Sequence, residues 1–134
     1  MRFKFDPFRF FRQAVRIFRV KEPLPSSGAL LRCMAAVKRA AKEGPVTVRL
    51  GALTLSAHDQ RELQYLFEEV FVREEYRVPL AKPDPVIVDC GANIGFATLY
   101  FKLRHPAARI TSFEPNPGCF EHLQRNIAQN NLAD

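Results

Sequence analysis

The 134-residue sequence has only three cysteines, and their positions exclude the common uses of paired cysteines. Cys33, Cys90 and Cys119 are odd in number and far apart, form no C-x-x-C pair, and have no histidine at metal-ligand spacing. We therefore expect reduced thiols, no metal site and a cytoplasmic location.

The sequence also lacks an apolar run long enough to cross a membrane or to serve as a secretory signal. Its net charge of +6 is concentrated in residues 1–21, which hold seven basic residues against Asp6, while residues 22–134 carry equal numbers of acidic and basic residues. Nucleic-acid binding normally needs a basic face on the folded domain, so a nucleic-acid partner is not expected.

Residues 1–21 are predicted to form a basic amphipathic helix. Asp6 can cap its start and Pro7 suits its first turn. Apolar residues recur at helical spacing, each followed by an arginine: Phe8, Phe11, Val15 and Phe18. Two interpretations stay open: peripheral contact with an anionic membrane surface or a partner, and packing of the phenylalanines on the rest of the chain.

Residues 22–58 are predicted to form an N-terminal extension made of a helix and a β-hairpin. "ALLRCMAAVKRAAKEGP" has one apolar side and ends at Gly44 and Pro45. The side consists of Leu30, Leu31, Met34, Val37 and Ala41. "VTVRLGALTLSA" alternates about a Gly-Ala pair, as hairpins do. Ser56 and Asp59 then signal the start of another helix.

From Val86 onward the pattern alternates strand and helix: "VIVDC", "IGFATLYFKLRH", "RITSFE" and "PGCFEHLQRNIAQNN". This succession is typical of parallel strands joined by crossover helices, so the predicted fold class is α/β with a partial doubly wound parallel sheet. Two parallel strands cannot close a larger sheet, and we expect residues 59–134 to be the first half of a cofactor-binding domain, truncated after the second crossover helix.

The turn after the first of these strands is the predicted ligand site, because ligands of open parallel sheets lie beyond the carboxyl ends of the strands. Gly91 and Gly95 would permit close approach of the backbone to a ligand. Glu114 follows Gly91 by 23 residues and ends the second strand, where a carboxylate can accept hydrogen bonds from both hydroxyls of a ribose. These residues together predict a nucleoside site.

The dinucleotide fingerprint G-x-G-x-x-G fits this turn poorly. Aligned on Gly91, it places Asn93 at the second glycine and Phe96 at the third, where a large side chain would separate helix and strand. An NAD(P)-binding oxidoreductase is therefore the less favoured alternative. Asp89 suits a cationic ligand rather than phosphates, and S-adenosylmethionine combines a ribose with an ammonium and a sulfonium group.

"VIVDCGANIGFATLYF" followed by "ITSFEPNPGCFEHLQRNIAQNNL" resembles the amino-terminal half of the Rossmann-like methyltransferase domain of the FkbM family, with its D-x-G-A-N-x-G and F-E-P-N-P signatures. The resemblance implies S-adenosylmethionine as cofactor, and it extends with less specificity to about residue 59. It also implies one cofactor site, made of a loop at the methionine end (Asp89, Gly91, Asn93 and Gly95), a residue holding the ribose (Glu114) and residues near the adenine (Pro115 and Asn116).

The family resemblance implies methylation of a hydroxyl on a small molecule or glycan by a catalytic domain that is incomplete here. It identifies no catalytic base, so the catalytic residues stay unknown. Tyr76 and Glu75 could close over the cofactor, although a surface position is favoured. A non-catalytic remnant that binds a membrane or partner through residues 1–21 is the alternative. The histidines, which lack partner carboxylates in the sequence pattern, are expected to be structural.

Overall fold

The computed structural model describes residues 26–132, which form an α/β structure with two separate two-stranded sheets. The helix predicted for residues 1–21 lies outside the described residues. In chain order the elements are α1 (Ser27–Arg39), β1 (Val46–Leu50), β2 (Leu53–Ala57), α2 (Gln60–Phe67), a π-helical segment (Glu68–Val72), β3 (Val86–Cys90), α3 (Phe96–Arg104), β4 (Arg109–Phe113) and α4 (Pro117–Ala128). In the described part of the chain, no helix is long and apolar enough to span a membrane.

The hairpin of β1 and β2 confirms the prediction from alternating residues. The strands are antiparallel, with Val46 opposite Ala57 and Leu50 opposite Leu53, and Gly51 takes a φ of 62° in the turn. The inward residues of both strands are buried and α1 packs against the hairpin. The hairpin therefore belongs to the main core of the described residues.

The end of α1 was predicted too late. The helix ends at Arg39 rather than at Gly44, and Ala41 is exposed instead of facing inward. The physical reason is a cap from another helix: Gln60 Nε2 donates to the carbonyls of Val37 and Lys38 at 2.9 and 3.0 Å. These bonds satisfy carbonyls that a longer helix would have used itself.

The start of α2 also differs from its predicted form. The N-cap is Asp59, whose side chain accepts from Glu62 N at 2.8 Å, while Ser56 lies inside β2. After α2 the chain continues as a π-helical segment, which no sequence pattern predicted. A π-helical turn changes which side chains face inward compared with an α-helix. In this segment the three consecutive residues Val70, Phe71 and Val72 are all buried.

Strands β3 and β4 are parallel and in register, from Val86 opposite Arg109 to Cys90 opposite Phe113. This pair confirms the predicted parallel strands, with α3 as the crossover between them. Parallel sheets are normally covered on both faces, yet Val86, Val88 and Phe113 are 66%, 62% and 57% exposed. Only one face of this pair is covered by the described residues.

Helix α4 joins the hairpin to the parallel pair through side-chain amides. Asn126 is fully buried; its Oδ1 accepts from Ser56 N at 2.9 Å, and its Nδ2 donates to the carbonyls of Ser56 and Ile94 at 2.8 and 2.7 Å. Asn130 makes the equivalent pair of bonds to Thr54 N and O, both at 2.8 Å. The two amides thus occupy the outer edge of β2 as a neighbouring strand would.

Candidate functional site

The turn between β3 and α3 is held in shape by left-handed backbone conformations. Gly91, Asn93 and Gly95 have φ values of 84°, 50° and 87°. A Cβ on Gly91 would have no neighbour within 4 Å, so glycine is needed there for its φ. A Cβ on Gly95 would lie 2.5 Å from Leu123 Cδ1, so the absence of a side chain at Gly95 permits the approach of α4.

Glu114 joins the two predicted halves of the site. Its Oε2 accepts from Asn93 N at 2.8 Å and its Oε1 accepts from Asn116 N at 2.8 Å. The turn after β3 and the turn after β4 therefore meet at one carboxylate. Each carboxylate oxygen has two lone-pair sites, so Glu114 keeps capacity to accept two further hydrogen bonds.

Asn116 and Pro115 complete the turn after β4. The Asn116 side chain caps α4, accepting from Cys119 N at 3.1 Å, and Pro117 stands at the first position of the helix. Helix α4 therefore begins with a side-chain cap followed by a proline. Pro115 and Asn116 are exposed beside Glu114, so the structure leaves the surface next to that carboxylate accessible.

Asp89 lies at the end of β3, opposite Ser112 of β4. Partial burial raises the pKa of Asp89, and the negative charge of Glu114 raises it further, while a hydrogen bond from Thr98 lowers it. Thr98 Oγ1 lies 3.5 Å from Asp89 Oδ2 and 2.9 Å from Ser112 Oγ. The two carboxylates form an acidic site, which favours a cationic ligand.

Four backbone N–H groups of this turn are used within the chain. Gly91 N and Ala92 N donate to the carbonyl of Phe113 at 2.9 and 3.0 Å, and Gly95 N donates to that of Ala92 at 2.8 Å. Asn93 N donates to Glu114. Phosphate-binding turns offer free N–H groups to the anion, so these four groups are not available to a pyrophosphate.

Tyr76 lies at the surface, as predicted, and is 37% exposed. Burial raises the pKa of Tyr76, and the negative charges of Glu69, Asp89 and Glu75 raise it further, in that order. The ring stands edge-on to Phe101 with centroids 6.4 Å apart. The segment before Tyr76 is anchored by a residue that no sequence motif indicated.

That anchor is Glu74, which has a φ of 50° and a side chain only 9% exposed. Its carboxylate pairs with Arg104 of α3 and, at 3.1 Å, with Arg77, and it accepts from Tyr100 Oη at 3.4 Å. The Arg104 guanidinium also lies over the Tyr100 ring at 5.2 Å. Glu74 thus fixes the segment that carries Tyr76 against α3.

Two of the histidines have partners that sequence analysis did not find. His58 Nδ1 lies 2.8 Å from Glu62 Oε2, and the ring centroids of His58 and His122 are 3.8 Å apart. The statement that the histidines lack partner carboxylates is therefore wrong for His58. Burial lowers the pKa of His122, and the nearby His58 and Arg125 lower it further. Within residues 26–132 no cluster of three or more metal-ligating side chains could hold a metal ion.

The cysteines are free thiols in different environments. Cys33 is buried in the core, and burial raises its pKa to about 12. Cys90 is exposed at the end of β3. Burial, Glu114 and Glu62 raise the pKa of Cys119, so none of these surroundings favours a reactive thiolate there.

The described residues form an α/β unit in which the turns after β3 and β4 meet at an acidic site, and comparisons with known proteins found relatives that are methyltransferases. Methyltransferase sdnD of Sordaria araneosa is 38% identical over 86 residues, which cover 64% of this chain and 33% of that protein. Methyltransferase 1 of Beauveria bassiana is 39% identical over 72 residues, which cover 54% of this chain and 29% of that protein. The 31-O-demethyl-FK506 methyltransferase FkbM of Streptomyces tacrolimicus is 36% identical over 91 residues, which cover 65% of this chain and 35% of that protein.

These relatives confirm the resemblance of the chain to methyltransferases of the FkbM type. The chain spans about a third of the length of the curated relatives it matches. No family model and no solved structure matches it.

Proposed function

We propose that this chain carries the methyl-donor site of an S-adenosylmethionine-dependent methyltransferase of the FkbM type. The observation that supports the proposal most strongly is the Glu114 carboxylate, which binds the backbone of both turns at the carboxyl ends of β3 and β4. Ligands of open parallel sheets bind at this end. The relatives that match the same chain are named methyltransferases.

The residues present fit this cofactor. Glu114 would accept hydrogen bonds from the ribose hydroxyls with its remaining lone pairs, and the Asp89 carboxylate would attract the cationic methionine end. Gly91, Asn93 and Gly95 would form the loop around that end, with Pro115 and Asn116 beside the adenine. The N–H groups of the loop that donate within the chain would not be needed, since the cofactor has no phosphate.

The proposed reaction is transfer of a methyl group to a hydroxyl on a small molecule or glycan. When bound, the cofactor would supply an electrophilic methyl group on a cationic sulfur. The protein mainly positions donor and acceptor in such a displacement, and a hydroxyl acceptor also needs a base. Asp89 and Glu114 hold the cofactor in this proposal, so neither is assigned as the base.

In domain terms, residues 59–134 would be the first half of a Rossmann-like cofactor-binding domain and residues 22–58 an extension packed on it. The parallel pair β3 and β4 with the crossover α3 supports this division. Peripheral membrane contact through residues 1–21 remains a separate prediction.

Isothermal titration calorimetry with S-adenosylhomocysteine tests the proposal. We expect binding by the whole chain and a loss of about tenfold or more in Glu114→Gln, because the amide replaces one acceptor oxygen with a donor and removes the charge. Glu121→Gln is the matched control, since Glu121 is exposed on α4. Binding of NAD but not of S-adenosylhomocysteine, or equal affinities in both variants and the unmodified chain, would contradict the proposal.

A further inference from the structure

A groove of about 650 Å³ runs between α1 and β1, apart from the candidate cofactor site. Helix α1 and strand β1 with its turn provide its walls: Ala29, Arg32, Ala36, Arg39, Ala40, Thr47, Val48, Arg49 and Gly51. No residue of β2 lines it. Because Val48 points to one face of the hairpin and its neighbours Thr47 and Arg49 to the other, a groove that touches all three must follow the outer edge of β1.

The hydrogen-bond pattern of β2 shows which backbone groups of β1 face the groove. Thr54 and Ser56 direct both N–H and C=O outward, to the amides of Asn130 and Asn126. In an antiparallel ladder, the residue opposite an outward-facing residue also faces outward. Arg49 lies opposite Thr54 and Thr47 opposite Ser56, so both direct their N–H and C=O into the groove.

These backbone groups have no hydrogen-bond partner among residues 26–132, and β1 pairs with β2 alone. The two edges of the hairpin therefore differ. The side-chain amides of Asn126 and Asn130 cover the β2 edge, whereas within residues 26–132 the β1 edge is an open row of two donors and two acceptors beside a groove. Open edges of this kind are the sites at which extended peptides add as an extra strand.

The charge of the groove indicates the chemistry of its ligand. Arg32, Arg39 and Arg49 are all exposed, none forms an ion pair with another described residue, and no acidic residue lines the groove. The alanines of α1 leave its floor shallow and apolar. The chain's own residues 1–21 carry a large positive charge, so charge complementarity does not favour them as the occupant.

We infer that the groove between α1 and β1 binds an extended acidic peptide, which pairs with the β1 edge at Thr47 and Arg49 and places its carboxylates beside the three arginines. Main-chain hydrogen bonds would supply the part of the affinity that does not depend on the peptide's sequence, and the arginines would select acidic side chains. This function is separate from methyl transfer and does not depend on it.

Fluorescence anisotropy with the whole chain tests the inference. The probe is a labelled nine-residue peptide in which glutamate alternates with threonine. A second peptide has the same sequence with alternate residues N-methylated to remove the donors needed for strand pairing, and a third replaces glutamate with lysine. We expect binding of the first peptide alone, weakened by added salt.

Charge-reversal variants provide the second arm. Arg49→Glu should weaken binding of the acidic peptide about tenfold or more, because a like charge then faces its carboxylates. Arg109→Glu is the control, since Arg109 is exposed at the start of β4 outside the groove. Circular dichroism checks that both variants are folded.

The inference is overturned by any of three results. These are absence of binding by the acidic peptide, equal binding of the N-methylated peptide, and binding to vesicles of anionic lipid without binding to peptide. Equal effects of the Arg49 and Arg109 variants would contradict it as well, since binding would then follow net charge rather than the groove.

Discussion

At the scale of single residues, Gly91 and Gly95 show how similar backbone angles can serve different purposes. Both have φ near 85°, but only Gly95 is in contact with another helix, through Leu123, which is 2% exposed. The sequence indicates that both positions need glycine. It does not indicate which of them is packed, because that depends on where α4 lies.

This difference leads to a prediction about stability. Gly95→Ala should lower the free energy of unfolding by about 3 kcal/mol, since it combines left-handed strain with a clash against a buried side chain. Gly91→Ala should cost only about 1 to 2 kcal/mol, from strain alone. Urea denaturation measures both. Equal losses in the two variants would show that α4 does not pack against Gly95 as described.

Asp89, Asn93, Glu114 and Asn116 were predicted as site residues from their types and spacing, and the structure joins three of them, since Glu114 bonds to the backbone of Asn93 and of Asn116. The surface position of Tyr76 was also predicted, but the carboxylate of Glu74 and its arginine partners, which hold the segment before Tyr76, were not. Local sequence gives no indication that Glu74 takes a left-handed conformation, which is uncommon for a residue with a Cβ.

At the scale of elements, α4 holds the hairpin and the turn after β3 together. Asn126 bonds to Ser56 of β2 and to Ile94 of the turn, and accepts from Gln129 Nε2 at 2.6 Å. The sequence pattern identified α4 but gave no reason to expect an asparagine in its buried face. The partners of Asn126 are distant in sequence, so only the assembled fold explains why an asparagine is buried there.

Asn126→Ala should therefore be among the most destabilising single changes in α4, with a loss of about 3 kcal/mol in the free energy of unfolding, because it leaves buried backbone groups unsatisfied. Asn130→Ala makes a useful comparison, since Asn130 is only partly buried and water can replace its bonds. We expect a loss of about 1 kcal/mol for that variant. Chemical denaturation would contradict the account if the order were reversed.

The contact of His122 on α4 with His58 predicts a pH dependence. The pKa of His122 in the folded chain lies below its ordinary value of 6.5, so the unfolded chain binds more protons as the pH falls through that value. The contribution of neutral His122 to the free energy of unfolding should thus be fully present above pH 6.5 and should decrease below that pH. Of the charged groups facing His122, His58 and Arg125 favour this loss and Glu62 and Glu121 oppose it.

Thermal unfolding between pH 7.5 and 5.5 measures this effect. The unmodified chain should lose more stability over that interval than His122→Gln, which has no proton to gain at this position. The same dependence in both proteins would mean that His122 does not cause it.

At the scale of the whole molecule, the parallel pair has one face that the described residues do not cover. Val86, Val88 and Phe113 form an exposed apolar patch on it. The relatives are about twice as long as this chain, and the part of the chain that matches them covers only about a third of their length. The alternating pattern correctly predicted parallel strands, but two strands alone could not indicate what covers their second face.

An exposed patch of this kind should make the 134-residue chain self-associate. We expect the double variant Val88→Thr and Phe113→Thr to sediment with a smaller average mass than the unmodified chain at the same concentration, with an unchanged thermal midpoint. Sedimentation velocity makes the comparison, with Tyr65→Thr as a control at an exposed aromatic residue on α2. Equal distributions for all three proteins would show that the patch does not drive association.

The central claim is that the turns after β3 and β4 form one site for an adenosyl sulfonium ligand. Its most direct test is a titration of the isotope-labelled chain with S-adenosylmethionine, followed by the backbone amide resonances. We predict saturable shifts at Gly91, Asn93, Glu114 and Asn116, with none of comparable size on addition of NAD. Saturable binding that shifts other resonances and leaves Asn93 and Asn116 unchanged would contradict the claim.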